Sequence, residues 1–317
     1  MDEEFDRGTG VSGTGVSRSA LTAAAARAAH LIVDKEPYVF ADTLASVLLG
    51  ERAAELVGFH RRHGDHVALS ASRTQAACRS RYAEGHLAAA VRRGVRQYVI
   101  LGAGLDTFAY RSPLAVRVIE VDHPATQDWK REALAVAGIA VPPGVAFVPA
   151  DLVTDDLGEV LRRSPLDLAA PAFVSWLGVV MYLPPADVAA TLAALGGLAP
   201  GTEVVADYLL APGLRDEAGR RYADMVGKAS AEGGEPWLSF FDPEELTVMA
   251  SAAGFSAVRH ARQRDAVPAA LWERDDAIAP ADLFALLHAT VATSGMSRPC
   301  RQLGGDAVSV AQPASCQ

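Results

Sequence analysis

The segment Gln97-Tyr-Val-Ile-Leu-Gly-Ala-Gly-Leu-Asp-Thr-Phe-Ala-Tyr-Arg111 constrains the fold more than any other part of this chain. A short buried-strand pattern runs straight into a turn whose glycines, Gly102 and Gly104, let backbone approach a ligand where a side chain would collide. Asp122 follows 18 residues after Gly104, at the end of the apolar run Val116-Arg-Val-Ile-Glu-Val-Asp122. In βαβ folds an acid at about this distance accepts hydrogen bonds from ribose hydroxyls. The third glycine of a dinucleotide fingerprint would fall at Thr107, so the turn points to a single nucleoside rather than a dinucleotide.

Further apolar runs at 145–149, 172–178 and 203–209 alternate with helical patterns at βαβ spacing. Their near-continuous apolar character suits parallel strands covered on both faces. Before Gln97 the pattern is helical throughout: Ala20 to Val33 with Arg27 and His30 on one side, a mostly helical stretch from Ala41 to His66, and Arg73 to Arg92 ending near Gly94. After the fifth strand the alternation breaks into a polar, helical stretch containing Trp237, Phe240 and Phe241. Within it Asp242 and Pro243 form a good helix start, as N-cap and first helical residue. Ser256 to Arg262 can be a sixth strand.

The expected architecture is a doubly wound, mostly parallel α/β sheet of about seven strands. A disordered tail spans 1–17, N-terminal helices that cover the ligand 18–94, the nucleoside-binding core 95–210, a helical cap for the acceptor 211–254, and C-terminal strand, helix and tail 255–317. The formal net charge of −9, without a Lys/Arg block, argues against nucleic acid as a partner. Cys78, Cys300 and Cys316 show no CxxC pairing, so neither a disulfide framework nor a zinc site is expected and a reducing cytoplasm fits. The acidic start is unlike a signal peptide, and the longest apolar run, 172–183, is too short to cross a bilayer. The group His60, Arg61, Arg62, His63 and His66 lacks acidic partners and reads as a solvated helix face, not a metal site.

A methyl donor of the S-adenosylmethionine type needs a cation for its carboxylate, an acid for its ribose and a flat slot for its adenine. Candidates stand at four strand ends: Gly102, Ala103 and Gly104; Glu120 and Asp122; Asp151 and Leu152; Leu177 and Gly178. Glu120 and Asp122 are read as alternating across the second strand, so only one is expected to reach the ribose, and the later one, Asp122, is preferred.

Several of these residues resemble a known family. Arg79-Ser-Arg-Tyr-Ala-Glu84, the glycine segment 97–111, Glu120-Val-Asp-His-Pro124, Ala150-Asp-Leu152 and Trp176-Leu-Gly-Val-Val-Met-Tyr-Leu183 look like the leucine carboxyl methyltransferase family. They look most like its bacterial branch, with O-methyltransferases of polyketides and other secondary metabolites. The resemblance runs from about Arg27 to Phe255. It implies a Rossmann-like class I methyltransferase fold using S-adenosyl-L-methionine. By the family's pattern Arg79 holds the donor carboxylate, Gly102 and Gly104 the methionine moiety, Asp122 the ribose, and Asp151 with Leu152 the adenine. One position departs from the pattern: Leu177 stands where the family often carries glutamate.

The implied activity is O-methyl transfer to a carboxylate or hydroxyl of a small-molecule acceptor. Two other readings are a donor-binding or pericyclic-type protein without methyl transfer, and a nicotinamide oxidoreductase, which the absent third glycine disfavours. Asp207 and Tyr208, ending the fifth strand, are candidate acceptor-facing or capping residues. With His123 they are the candidate bases if the acceptor is a hydroxyl. Before Pro124, however, a histidine is more often structural. Tyr182, Trp237 and Phe240 are candidate acceptor contacts, the aromatics of the cap serving equally as its small core. Arg81 and Arg27 are alternatives to Arg79, which without the resemblance reads as a surface arginine. Asp106 and Arg111 are expected to form a buried pair pinning the glycine turn.

Overall fold

The structure is a computed structural model, and it describes residues 15–292. Most of the expected tail 1–17 and all of 293–317, with Cys300 and Cys316, lie outside the described residues. Val16 and Ser17 are described: Val16 is buried, and Ser17 is the N-cap of the first long helix.

Seven strands form one sheet in the order β3-β2-β1-β4-β5-β7-β6. They are β1 (Gln97–Leu101), β2 (Arg117–Asp122), β3 (Val145–Pro149), β4 (Phe173–Trp176), β5 (Glu203–Leu209), β6 (Phe255–Arg262) and β7 (Phe284–Val291). The first five are parallel, and β7 enters antiparallel between β5 and β6. The chain order reverses at β1, which has β2 on one side and β4 on the other, so the ligand crevice of an open α/β sheet belongs at the carboxyl ends of these strands.

Eight helices of seven residues or more are described: α1 (Arg18–Val33), α2 (Ala53–Arg62), α3 (Val67–Arg92), α4 (Pro124–Val136), α5 (Leu157–Arg163), α6 (Pro185–Gly196), α7 (Glu217–Glu232) and α8 (Pro243–Ala252). Alternation along the strands divides the core. Val99, Leu101, Val121, Val174 and Val204 pack with Leu161 of α5, Leu192 of α6 and Leu246 of α8. On the other face Tyr98, Ile100, Phe173 and Val205 pack under Ala83, Leu87 and Ala90 of α3. Each such aliphatic side chain contributes about 1.5–3 kcal/mol relative to exposure. A third cluster joins α1, through Leu21, Ala24 and Ala28, to Leu105 beyond the glycine turn and to Leu134 of α4. The alanine-rich stripe of α1 allows that close approach.

The segment expected as a cap divides in two. Glu217–Glu232 and the loop after it form the cap, whereas α8 lies in the sheet-covering layer, with Leu246 and Ala250 in the main core. Its start is as the sequence implied: Asp242 accepts from the Glu244 amide at 2.8 Å, with Pro243 at the first helical position. The histidine-rich helix is not uniformly solvated. His60 is buried against Arg73, and His66 caps α3. Among the described residues no helix is long and apolar enough to cross a membrane.

Candidate active site

The glycine turn leaves β1 with Gly102 at φ 65° and Gly104 at φ 48°, both in the left-handed region. The amides of Gly102 and Ala103 donate to the Val121 carbonyl at 2.9 and 3.1 Å, which ties the turn to the end of β2. A Cβ on Gly102 would lie 2.3 Å from Val179 Cγ2, and one on Gly104 would lie 3.2 Å from Ala20 Cβ of α1. The turn is therefore pressed between the loop after β4 and the N-terminal helix, and glycine is required on steric as well as torsional grounds.

Asp122 ends β2 beside it. One carboxylate oxygen accepts from the Gly104 amide, and the other from the His123 amide at 2.6 Å. Burial pushes this carboxyl above its ordinary value, against those two backbone donors. A carboxylate has about four acceptor sites, so roughly two remain for ribose hydroxyls. Glu120 lies on the same face of β2 but one pleat further in, fully buried, accepting from Lys130 Nζ at 2.6 Å and Tyr110 Oη at 3.1 Å. It is committed to that buried ion pair and does not reach the crevice. Asp151 and Leu152 follow β3 next to Asp122, whose carbonyl accepts from the Ala150 amide at 2.9 Å. Asp151 closes its own loop, accepting from the Val153 amide at 2.9 Å, and Leu152 leans on the main core. His123 is exposed and caps α4, its Nδ1 accepting from the Ala125 amide at 3.3 Å. It faces solvent as a helix cap, the structural role.

Beside this groove lies a pocket of about 150 Å³ between α1, α3, the loop after β4 and the cap. Arg79 and Gly178 are part of its lining. Arg79 Nη1 donates to Asp207 Oδ2 at 3.0 Å, and a Cβ on Gly178 (φ 72°) would sit 2.8 Å from both terminal nitrogens. Asp207 is buried, also accepting from Gln75 Nε2 at 3.0 Å and the Gly178 amide at 2.5 Å. It thus fixes the cation and the loop rather than facing the pocket. Tyr208 points to the opposite side of the sheet, wholly buried, with its hydroxyl 2.7 Å from His260 Nδ1. Strand alternation separates it from Asp207, and the structure does not bring it to the site. Leu177 is packed in the cluster under α3.

Tyr182 and Trp237 line the pocket; Phe240 does not. It lies outside, 38% exposed, under the Arg215 guanidinium. Sequence reasoning missed Arg18, Gln75, Tyr222 and Glu235, all in the pocket wall. Glu235 accepts from Ser17 Oγ at 3.0 Å and the Ser19 amide at 2.9 Å, so the cap loop holds the first turn of α1 across the pocket. A glutamate placed 218 residues from its partner leaves no periodic signal. Burial, with the charge of Glu235, pushes the Tyr182 phenol above its usual value.

Arg111 is not the partner of Asp106. It bonds Glu84 and Thr107, while Asp106 accepts from the Phe108 amide at 2.7 Å. Arg81 supports the loop before α2 through the Val39 carbonyl, and Arg27 is buried against Asp42.

S-adenosylmethionine fits this donor set: a backbone cradle that side chains would fill, a carboxylate with free acceptor sites at the adjoining strand end, an apolar wall at Leu152 and the Arg79 guanidinium against Gly178 in the loop after β4. The sequence model of the leucine carboxyl methyltransferase family matches residues 20–196, more than half of the chain. A Mycobacterium bovis protein named as an S-adenosyl-L-methionine-dependent methyltransferase is 34% identical over 241 residues, 72% of this chain and 75% of that one. The Bacillus subtilis protein YktD, similarly named, is 30% identical over 200 residues, 62% of this chain and 66% of its own length. Among solved structures, one from Thermobifida fusca described as a methyltransferase superposes with a TM-score of 0.57 at 19% identity, covering 89% of this chain and 97% of that one. A Streptomyces avermitilis DUF574 family protein gives 0.54 at 18% identity, with 84% and 96% covered. These two likenesses establish the same fold. By the extent of the family match and of its relatives, this chain belongs to the leucine carboxyl methyltransferase family.

Proposed function

We propose that this protein transfers a methyl group to an oxygen of a small-molecule acceptor held in the pocket between α1, α3 and the cap, with a carboxylate favoured over a hydroxyl. The coarser activity, S-adenosylmethionine-dependent methyl transfer, follows from the family and from the donor set at the ends of β1, β2 and β3. When bound, S-adenosylmethionine supplies a methyl already activated by a sulfonium. The protein's part is alignment and exclusion of water, which together lower a barrier by up to ~7–11 kcal/mol in favourable cases.

The observation that carries the oxygen reading is the chemistry of the pocket wall. Its titratable side chains are Arg18, Arg79, Tyr182, Tyr222 and Glu235. Burial keeps both phenols protonated, so they are hydrogen-bond donors at neutral pH. Both Glu235 oxygens accept from α1. Of the three candidate bases, Tyr208 is sealed in the core, Asp207 is held by Arg79, and His123 caps a helix. A wall rich in donors, with no uncommitted base, suits an acceptor that arrives ionised, and a carboxylate does so at neutral pH. A pocket of about 150 Å³ suits a compact acceptor, such as a single-ring acid, better than an extended peptide.

Incubation with methyl-labelled S-adenosylmethionine and matched panels of small aromatic acids, phenols and amines tests this. Alkali-labile label on acids is the expected result, and alkali-stable ether on phenols would move the preference to a hydroxyl. Transfer to amines alone would refute oxygen as the acceptor atom.

A further inference from the structure

The donor turn is flexible by composition, yet it is clamped from three directions through one buried carboxylate that family pattern and donor chemistry leave without a role. Asp42, in the loop between α1 and α2, is 2% exposed. Its Oδ2 accepts from Arg27 Nε of α1 at 2.8 Å. Its Oδ1 accepts from Thr107 Oγ1 at 2.6 Å and the Leu44 amide at 3.1 Å, with Arg111 Nε at 3.6 Å. The same Arg27 donates through Nη2 to the Leu105 carbonyl at 2.7 Å. Thr107 Oγ1 accepts in turn from Arg111 Nε at 2.8 Å, and Arg111 is paired with Glu84 of α3. Thus the two residues flanking Asp106 in the turn, Leu105 and Thr107, are both held by groups that Asp42 orients.

We infer that Asp42 is a positioning residue for the donor site: with Arg27 and Thr107 it fixes the Gly102–Thr107 turn in the shape that S-adenosylmethionine binds. Two glycines at positive φ give this turn more unfolded-state freedom than other residues would, so its rigidity must come from outside. Burial alone would raise the Asp42 carboxyl, but the Arg27 cation and the Thr107 hydroxyl hold it below its ordinary value. It therefore stays ionised and able to accept from all its donors. Thr107 stands in place of the third glycine of a dinucleotide fingerprint, and its hydroxyl is the link between turn and clamp.

The control for a merely structural role is Asp34. It is also buried and ion-paired, to Arg73 and His30, but bonds no residue of the turn. The measurement is calorimetric affinity for S-adenosylhomocysteine with the full chain, alongside circular dichroism. We expect Asp42→Asn to keep its helical signal and weaken affinity at least tenfold. Thr107→Val should weaken it several-fold, and the loss in the double variant should be smaller than the product of the two single losses, because both substitutions act on the Thr107–Asp42 contact. Asp34→Asn should lower the melting temperature while leaving affinity within twofold. Thr107→Val decides the question if Asp42→Asn does not fold. Affinity within twofold of wild type in the folded Asp42 or Thr107 variant overturns the inference, as does an equal loss in Asp34→Asn. The inference rests on the donor assignment, and failure of the wild-type protein to bind S-adenosylhomocysteine would instead overturn that assignment.

Discussion

Gly102 shows how one residue decides whether the donor groove exists. At φ 65° an alanine would sit in the left-handed region, and its methyl would lie 2.3 Å from Val179 Cγ2. The torsional part costs about 1–2 kcal/mol, and the collision adds to it unless the loop after β4 moves. Gly102→Ala is expected to lose more than tenfold in S-adenosylhomocysteine affinity and to melt lower. Adding Val179→Ala should recover part of both, because it relieves the contact but not the torsion. Wild-type affinity in Gly102→Ala would show that the turn does not form the cradle. Gly102, directly after β1, and Asp122, the last residue of β2, stood out in the sequence because strand ends converge in a parallel sheet. Tyr208 misled for the same reason: it also ends a strand, but on the opposite face from Asp207, and position along a strand does not by itself tell which face borders the ligand.

The N-terminal helix is the element that turns an open groove into an enclosed site. Its alanine stripe lets it lie on the turn, with Ala20 against Gly104. Its first turn is completed by the cap: Ser17 Oγ accepts from the Ala20 amide at 3.3 Å, and Glu235 accepts from the Ser19 amide. A carboxylate at a helix N-terminus satisfies an orphan donor and faces the positive end of the dipole, together worth about 1 kcal/mol. In Glu235→Ala the amides of residues 18–22 should exchange about fivefold to tenfold faster with solvent deuterium, while those of β1 keep their protection. Unchanged exchange at 18–22 would show that the clasp contributes nothing to closing the site. The helices before β1 and the start of α8 were legible in the sequence, as were β1 to β6 from their apolar runs. The clasp was not, because Glu235 follows a glycine pair in a polar loop and its partners are across the molecule. The cap's boundary was misplaced for a related reason: Pro243–Ala252 has the same polar–apolar texture as a cap helix, and only Leu246 and Ala250 in the main core reveal its layer.

At the scale of the whole molecule, this chain of net charge −9 buries several ionisable groups, and an expected pH dependence of its stability follows from them. Burial lowers the His60 imidazole to about 4, with the Arg73 cation beside it acting in the same sense and Asp34 opposing. His86, next to His288, is likewise lowered to about 4 by burial. Between that value and 6.5 the unfolded chain binds protons that the folded protein does not, so stability is present above the unfolded value and is lost as pH falls. Asp34 and Asp42, held below their ordinary value, add to this loss only at the acid end of the window, below about pH 5. Burial raises the carboxyls of Glu84, Glu120 and Asp122, whose contributions grow as pH falls and partly mask the histidines. Total stability is therefore a poor readout, and the difference between two proteins is a good one. Replacing His60 by glutamine keeps a polar side chain of similar size but removes the titration. The stability advantage of wild type over His60→Gln, from urea unfolding, should shrink by about 2 kcal/mol between pH 7 and pH 5. A gap that stays constant across this range would mean that His60 accepts a proton in the folded protein without penalty, and that its burial against Arg73 is not the source of the acid sensitivity.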